Sequence, residues 1–151
     1  MQQLETERAD TMGEVRTDVT LTNTLDEMLA RRGRLPAAEI RSYKADALVD
    51  TGAVRSVVPV HVVQQLGLQI IGQQVAEYAD GRTDVVGVTE AIDINIKGRR
   101  TLDEALVLGD EVIIGQTVLE KLDLLVDCAN RRLVPNPAHP DQPVTKVKCS
   151  H

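Results

Sequence analysis

Residues 14–21 alternate apolar and polar side chains, with Val15, Val19 and Leu21 on one side of an extended chain. That is the period of a strand with one face buried. Thr24-Leu25-Asp26-Glu27 follows, with Thr first and Glu three residues on, the pattern of a capping box. A short helix is expected to open with Thr24 as its N-cap and to close at Gly33. A second strand is expected over 40–49. Pro59 suits a first helical turn and Gly67 a helix C-terminus, so "PVHVVQQLGL" reads as a helix. Strand-like runs at 69–78 and 83–88 flank Asp80-Gly81, a dipeptide suited to a tight hairpin. Two more, 89–96 and 99–108, turn at Lys97-Gly98. The stretch "EVIIGQTVLEKLDLLVDCANRRLVP" reads as a short apolar strand, a helix over 116–122 and a hairpin around Asn130.

Many short strands with one to three brief helices describe an all-β, closed domain rather than a layered α/β one. Its expected limits are residues 13–135. Residues 1–12 read as a flexible lead. Pro135, Pro137 and Pro140 open a polar stretch, so 136–151 is expected to be an extended or disordered tail. A chain of 151 residues is long enough for one core.

Composition narrows the possibilities. Tyr43 and Tyr78 are the only aromatic residues, so the core and any pocket wall must be built from Val, Leu, Ile and Ala. A net charge of −6, from 17 basic and 23 acidic residues, argues against nucleic acid as a partner. The pairs Arg31–Arg32, Arg99–Arg100 and Arg131–Arg132 lie beside turn or helix-end signals and read as solvated surface charge. No apolar run reaches the roughly 18 residues of a membrane span, and "MQQLETERAD" lacks the apolar stretch of a signal peptide. No membrane partner is expected. Cys128 and Cys149 are poorly placed to pair, which points to a reducing, cytoplasmic setting. His61, His139 and His151 are scattered without metal-ligand spacing, so no metal is expected.

The chemistry concentrates in "ADALVDTGAVRSVVP". An apolar run ends on Asp50, and Thr51, Gly52 and Ala53 then withdraw side-chain bulk. Taken alone, Asp-Thr-Gly also fits an ordinary turn in which the Asp side chain caps local amides. An Asp-nucleophile phosphatase would need a second Asp two residues on, where Gly52 stands.

The run Leu48-Val49-Asp50-Thr51-Gly52-Ala53 with Ser56 resembles the active-site motif of retropepsin-like (clan AA) aspartic proteases. Ile113-Ile114-Gly115 and the helix after it resemble that family's late apolar strand and helix. Asp80-Gly81 falls where a retropepsin carries the tip of its flap. The order holds from about Glu14 to Pro135, and the single-lobe form is most similar to bacterial members.

The resemblance implies a retropepsin-like acid protease barrel with a flap hairpin and one lobe per chain. It also implies an endopeptidase that hydrolyses peptide bonds without a cofactor. Water is activated between two carboxylates that share a proton, one serving as base and the other as acid. One Asp-Thr-Gly per chain implies a homodimer in which each copy brings Asp50 to a two-fold axis. Asp46, Asp84 and Asp127 lack the Thr-Gly context and read as surface or turn residues. Thr51 would bond across to the other half, Gly52 would admit amide donors to the carboxylates, Ala53 would leave room for substrate, and Ser56 completes the motif. For Ile113 two readings stand, a substrate-pocket wall or plain core. Tyr78, Ala79, Asp80, Gly81 and Arg82 form either a substrate-covering flap or an ordinary surface hairpin. Aliphatic walls imply apolar residues beside the cut. Val54 and Arg55 stand where many retropepsins have an acid that holds the substrate main chain, and Gln116 where viral enzymes have Arg. The alternative from another class is a catalytically inactive module of the same fold that binds peptides or mediates dimerisation.

Overall fold

β1 (Val15–Asn23) and β2 (Ser42–Val49) pair antiparallel from Val15↔Val49 to Thr22↔Ser42 in the computed structural model, which describes residues 13–149. The expected lead at 1–12 lies outside the described residues. β1 also carries β6 (Ile92–Ile96), which turns into β7 (Arg99–Asp103). On its other side β2 runs parallel to the short β9 (Ile113–Ile114). β3 (Val57–Val58), β8 (Leu106–Val107), β5 (Thr83–Thr89) and β4 (Ile70–Glu77) continue from there. The result is one nine-stranded sheet in the order β4-β5-β8-β3-β9-β2-β1-β6-β7, curled into a half-barrel, with a separate hairpin of β10 (Leu124–Asp127) and β11 (Arg132–Pro135). Among the described residues three short α-helices complete it, α1 (Thr24–Arg31), α2 (Val60–Leu66) and α3 (Gln116–Leu122), with one 3-10 turn at Ala37–Glu39.

Period-two patterning builds the core. Val15, Val19 and Leu21 of β1 and Ile92, Ile94 and Ile96 of β6 turn inward, against Ala47 and Val49 of β2. Leu66, Val118 and Leu122 close it from the helices. Burying each such Val, Leu or Ile side chain contributes about 1.5–3 kcal/mol. The interior is aliphatic, as the composition requires, and half-buried Tyr43 packs at its margin.

Three local expectations are corrected. Asn23, not Thr24, is the N-cap of α1: its Oδ1 accepts from Asp26 N at 2.9 Å while its Nδ2 donates to Leu66 O at 2.8 Å. One amide thereby serves the start of α1 and the end of α2, while the Thr24 hydroxyl donates to Ala91 O at 2.9 Å. Residues 99–108 are two strands, because the chain leaves β7 at Asp103 and re-enters the sheet beside β3 as β8. Arg99 is buried rather than solvated. It donates to Leu122 O at 3.0 Å, Asp123 O at 2.9 Å and His139 O at 2.6 Å.

That last bond ties down the segment after β11. Asn136 Nδ2, His139 Nδ1 and Val144 N all meet the Asp123 carboxylate, at 3.0, 2.6 and 3.1 Å. These partners, Asn136 first, hold the Asp123 carboxyl below the usual carboxylate range.

Where β9 enters α3 the chain passes almost in contact with the segment before β3. A Cβ built on Gly115 would lie 2.6 Å from both the carbonyl carbon and oxygen of Arg55, and 2.9 Å from Ala53 O. All three are backbone atoms that cannot swing aside. Gly115→Ala is expected to lower stability by about 1–3 kcal/mol, read as a fall in the urea midpoint. Gly72→Ala, with nothing within 4 Å of the new methyl, should stay within about 0.5 kcal/mol of the parent.

Asp26 supplies a pH test. The Arg41 guanidinium and backbone N–H bind its carboxylate at 2.9–3.0 Å and hold its pKa below the usual range. The folded chain therefore binds fewer protons here than the unfolded one. This stability is present above the unfolded value of about 3.9 and is lost as pH falls through the lower folded value. Asp26→Asn should lower the neutral-pH urea midpoint and flatten its decline between about pH 5 and pH 3. An equally steep decline in the variant would show that other acids carry the effect.

Candidate active site

β2 delivers Asp50. The strand ends at Val49, and the Asp50 N–H still donates to Ile114 O of β9 at 3.0 Å, so the residue is fixed at the last rung of the parallel ladder. The chain then turns: Gly52 N donates to Asp50 Oδ1 at 2.9 Å and Ala53 N to Asp50 O at 3.1 Å. A side chain at position 52 would crowd that carboxylate, since a built Cβ lies 3.2 Å from Oδ1. The local motif is the Asx-type turn that Asp-Thr-Gly alone allows. Asp50 is nonetheless exposed, so the acid at the end of the apolar run faces solvent and not the core.

The loop after Asp50 is clasped from behind by the β9–α3 junction. Buried Ser56 accepts the Gly115 N–H at its Oγ, 2.9 Å. Gln116 N donates to Ala53 O at 2.8 Å and Thr117 N to Val54 O at 3.1 Å, while the Thr117 hydroxyl also donates to Val54 O. The first N–H groups of a helix have no partner within it, and here they hold the loop. Gly115 permits the close passage.

In front of Asp50 lies a groove of about 940 Å³. Asp50, Gly52 and Ala53 line it together with Val54, Arg55, Val57, Leu106, Leu108 and Ile113, and Gln74, Val75, Ala76, Glu77, Tyr78 and Ala79 contribute from the β4–β5 hairpin. Ile113 therefore faces the groove. Of the five hairpin residues singled out in the sequence, Tyr78 and Ala79 line it, whereas Asp80, Gly81 and Arg82 do not. Thr51 is exposed but is not part of the wall, and Ser56 acts from beneath it.

The hairpin tip is a three-residue loop. Tyr78 N donates to Arg82 O at 2.8 Å and Gly81 N to Tyr78 O at 2.9 Å, with Gly81 at φ +87°, the left-handed position such a loop requires. Arg82 closes it: its N–H and Nε bind the Asp80 carboxylate at 3.0 and 2.7 Å, and its guanidinium lies 5.1 Å from the Tyr78 ring centroid. The Arg82 backbone N–H, and after it the side chain, holds the Asp80 carboxyl below its usual range.

Other acids are placed elsewhere. Asp46 is on the surface with Arg16, Asp84 is exposed on β5, and Asp127 binds Asn130 and Arg132 in the last turn. A smaller hollow of about 420 Å³, lined by Arg16, Asp18, Asp46, Lys97 and Arg132 among others, is built from such surface charges. The groove residues that sequence reading missed are Val57, Leu106 and Leu108 and the β4 segment from Gln74. Val57 was hidden by its likeness to core, and Leu106 and Leu108 by the unbroken look of 99–108.

The family model described as "gag-polyprotein putative aspartyl protease" matches residues 37–121, which include both Asp50 and the β9–α3 junction. Among solved structures, the retroviral protease-like domain of Ddi1 from Leishmania major is similar at a TM-score of 0.50. It is 15% identical, over 88% of this chain and 91% of that one. The EIAV protease complexed with the inhibitor HBY-793 gives a TM-score of 0.49 and 19% identity, over 71% of this chain and 86% of that one. No curated protein sequence matches. The likeness to the Ddi1 domain is one of fold, a retropepsin-like one, and the family match reaches the residues around Asp50. The chain belongs to the gag-polyprotein aspartyl protease family.

Proposed function

We propose that the chain is an aspartic endopeptidase active as a homodimer, with one Asp50 from each copy. The observation that carries this reading is the exposed Asp50 carboxylate at the groove, oriented by the Gly52 amide at 2.9 Å. Glu77, on the hairpin strand, is the other carboxylate of the groove wall and has no comparable mounting. A second copy related by a two-fold axis supplies an equivalent acid in equivalent surroundings.

In that arrangement the two acids hold one proton between them, because like charges a few ångströms apart do not both ionise readily. The ionised member removes a proton from water as it attacks the peptide carbonyl. The protonated member donates to the carbonyl oxygen, and no covalent intermediate forms. Tyr78 and Ala79 cover the substrate from the hairpin and exclude solvent. Aliphatic Val57, Leu106, Leu108 and Ile113 receive apolar side chains flanking the cut. The single-lobe, bacterial-type form and a reducing cytoplasmic location complete the reading. Cys128, exposed and outside any disulfide, supports the reducing setting.

Hydrolysis of apolar peptides is expected to peak on the acid side between about pH 3 and pH 8 and to fall by at least ~10²-fold in Asp50→Asn. A parent that is dimeric yet cleaves nothing in that range would establish the inactive binding module instead. Mixing tests the shared site. Equal amounts of parent and Asp50→Asn, freely exchanging, should retain about a quarter of the activity of parent alone at the same total concentration, because a quarter of random dimers carry two Asp50. Retention of half would mean that each chain works alone.

A further inference from the structure

The groove wall contains one basic residue, Arg55. It sits between the Asp50 turn and β3, where Ser56 O accepts from Leu106 N at 3.0 Å, so position 55 lies beside Glu104 at the entry to two parallel strands. Its side chain is 29% exposed. Its ion-pair partner among the described residues is Glu104, at 3.6 Å, beyond hydrogen-bonding distance, and the Glu104 side chain is 44% exposed. A planar guanidinium with five donors is therefore held at the groove by a pair that leaves its fork unsaturated. Asp50 and Glu77 are the other charged groups of the wall. Asp50 is assigned to the chemistry, and Glu77 is carried on the opposing hairpin strand.

We propose that Arg55 is a specificity residue that binds the carboxylate of an acidic side chain in the substrate, so that the chain acts on polypeptides carrying Asp or Glu close to an apolar cut site. The inference rests on the endopeptidase reading for cleavage, but recognition itself does not need turnover. A substrate carboxylate meets the guanidinium in a groove that loses water when peptide binds, and a two-pronged, charge-assisted contact forms there. Glu104 competes for the same donors and sets how strongly the preference is expressed.

The test uses fluorescent peptides of one length with an apolar centre, in which Glu, Gln or Lys is placed in turn at each flanking position. Binding is measured on Asp50→Asn by anisotropy, and cleavage on the parent. At one position on each side of the centre, the two related by the two-fold axis, Glu is expected to bind about tenfold more tightly than Gln, with the effect appearing in KM more than in kcat. Arg55→Gln should erase that difference, Arg55→Glu should transfer it to Lys, and Arg55→Lys should keep a reduced form. Glu104→Gln should enlarge it. A merely structural Arg55–Glu104 pair would instead lower the thermal midpoint in both Arg55→Gln and Glu104→Gln and leave peptide preference unchanged, which overturns the proposal. Charge-selective binding without cleavage upholds the role of Arg55 and overturns the endopeptidase reading. Cleavage indifferent to flanking charge does the reverse, and a protein that neither binds nor cleaves the peptides overturns both.

Discussion

Everything at the groove depends on the clasp between the 50–56 loop and the junction of β9 with α3. Four backbone N–H groups make it: Asp50 to Ile114 O, Gly115 to Ser56 Oγ, Gln116 to Ala53 O and Thr117 to Val54 O. Each would be an orphan donor at the end of a strand or the start of a helix, and an unpaired buried N–H costs about 1–3 kcal/mol. Two segments more than fifty residues apart in sequence thus satisfy one another. The Asp50 turn acquires a rigid backing that leaves its carboxylate free to face outward. A methyl group at Gly115, 2.6 Å from the Arg55 carbonyl, would push the two segments apart and loosen the backing of the Asp50 turn.

The clasp has its own support. α3 ends at Leu122, and its last carbonyl, with that of Asp123, accepts from buried Arg99. A guanidinium removed from water needs its donors filled, and the negative end of a helix is a favourable place to fill them. His139 O takes a further donor, so the segment beyond β11 is bound to the same cation. Asp123, in the left-handed conformation that ends α3, gathers Asn136, His139 and Val144 on its carboxylate. Helix, strand and following segment are thereby locked by one buried cation and one anion adjacent in the fold.

Periodicity made most of this architecture legible. The strands at β1, β4, β5 and β6, the helix over Gln116–Leu122 and the hairpin around Asn130 follow directly from spacing and turn residues, because each has a clean period and a marked end. What spacing could not convey was long-range. Asn23 outcompetes Thr24 as a cap because its amide also reaches Leu66 O, 43 residues away in the chain. Arg99 looked like half of a surface pair, and only the arrival of α3 buries it. Asp50 with Gly52, Ser56 and Gly115 was legible through family resemblance, yet the reason for Gly115 lies in a close approach that no local pattern encodes. Val57, Leu106 and Leu108 line the groove together because β3 and β8 meet in parallel from distant parts of the chain, whereas Arg55 follows from its nearness to Asp50.

A single lobe has an electrostatic consequence. In one chain the Asp50 carboxylate is exposed and solvated, so folding bears none of the penalty of bringing two acids together. On the homodimer reading that penalty falls entirely on association, where it opposes the burial of apolar surface between the two copies. Val54, 71% exposed beside the Asp50 turn, and Val75, 65% exposed on β4, are surfaces an isolated chain leaves in water and that association or substrate can cover. Protonation of the pair would then be linked to assembly. On that reading, protonating one of the two acids would relieve their mutual repulsion and favour the dimer, while protonating both would leave no base to activate water. Activity would be bounded on one side by assembly and on the other by chemistry, with the same two carboxylates setting both limits.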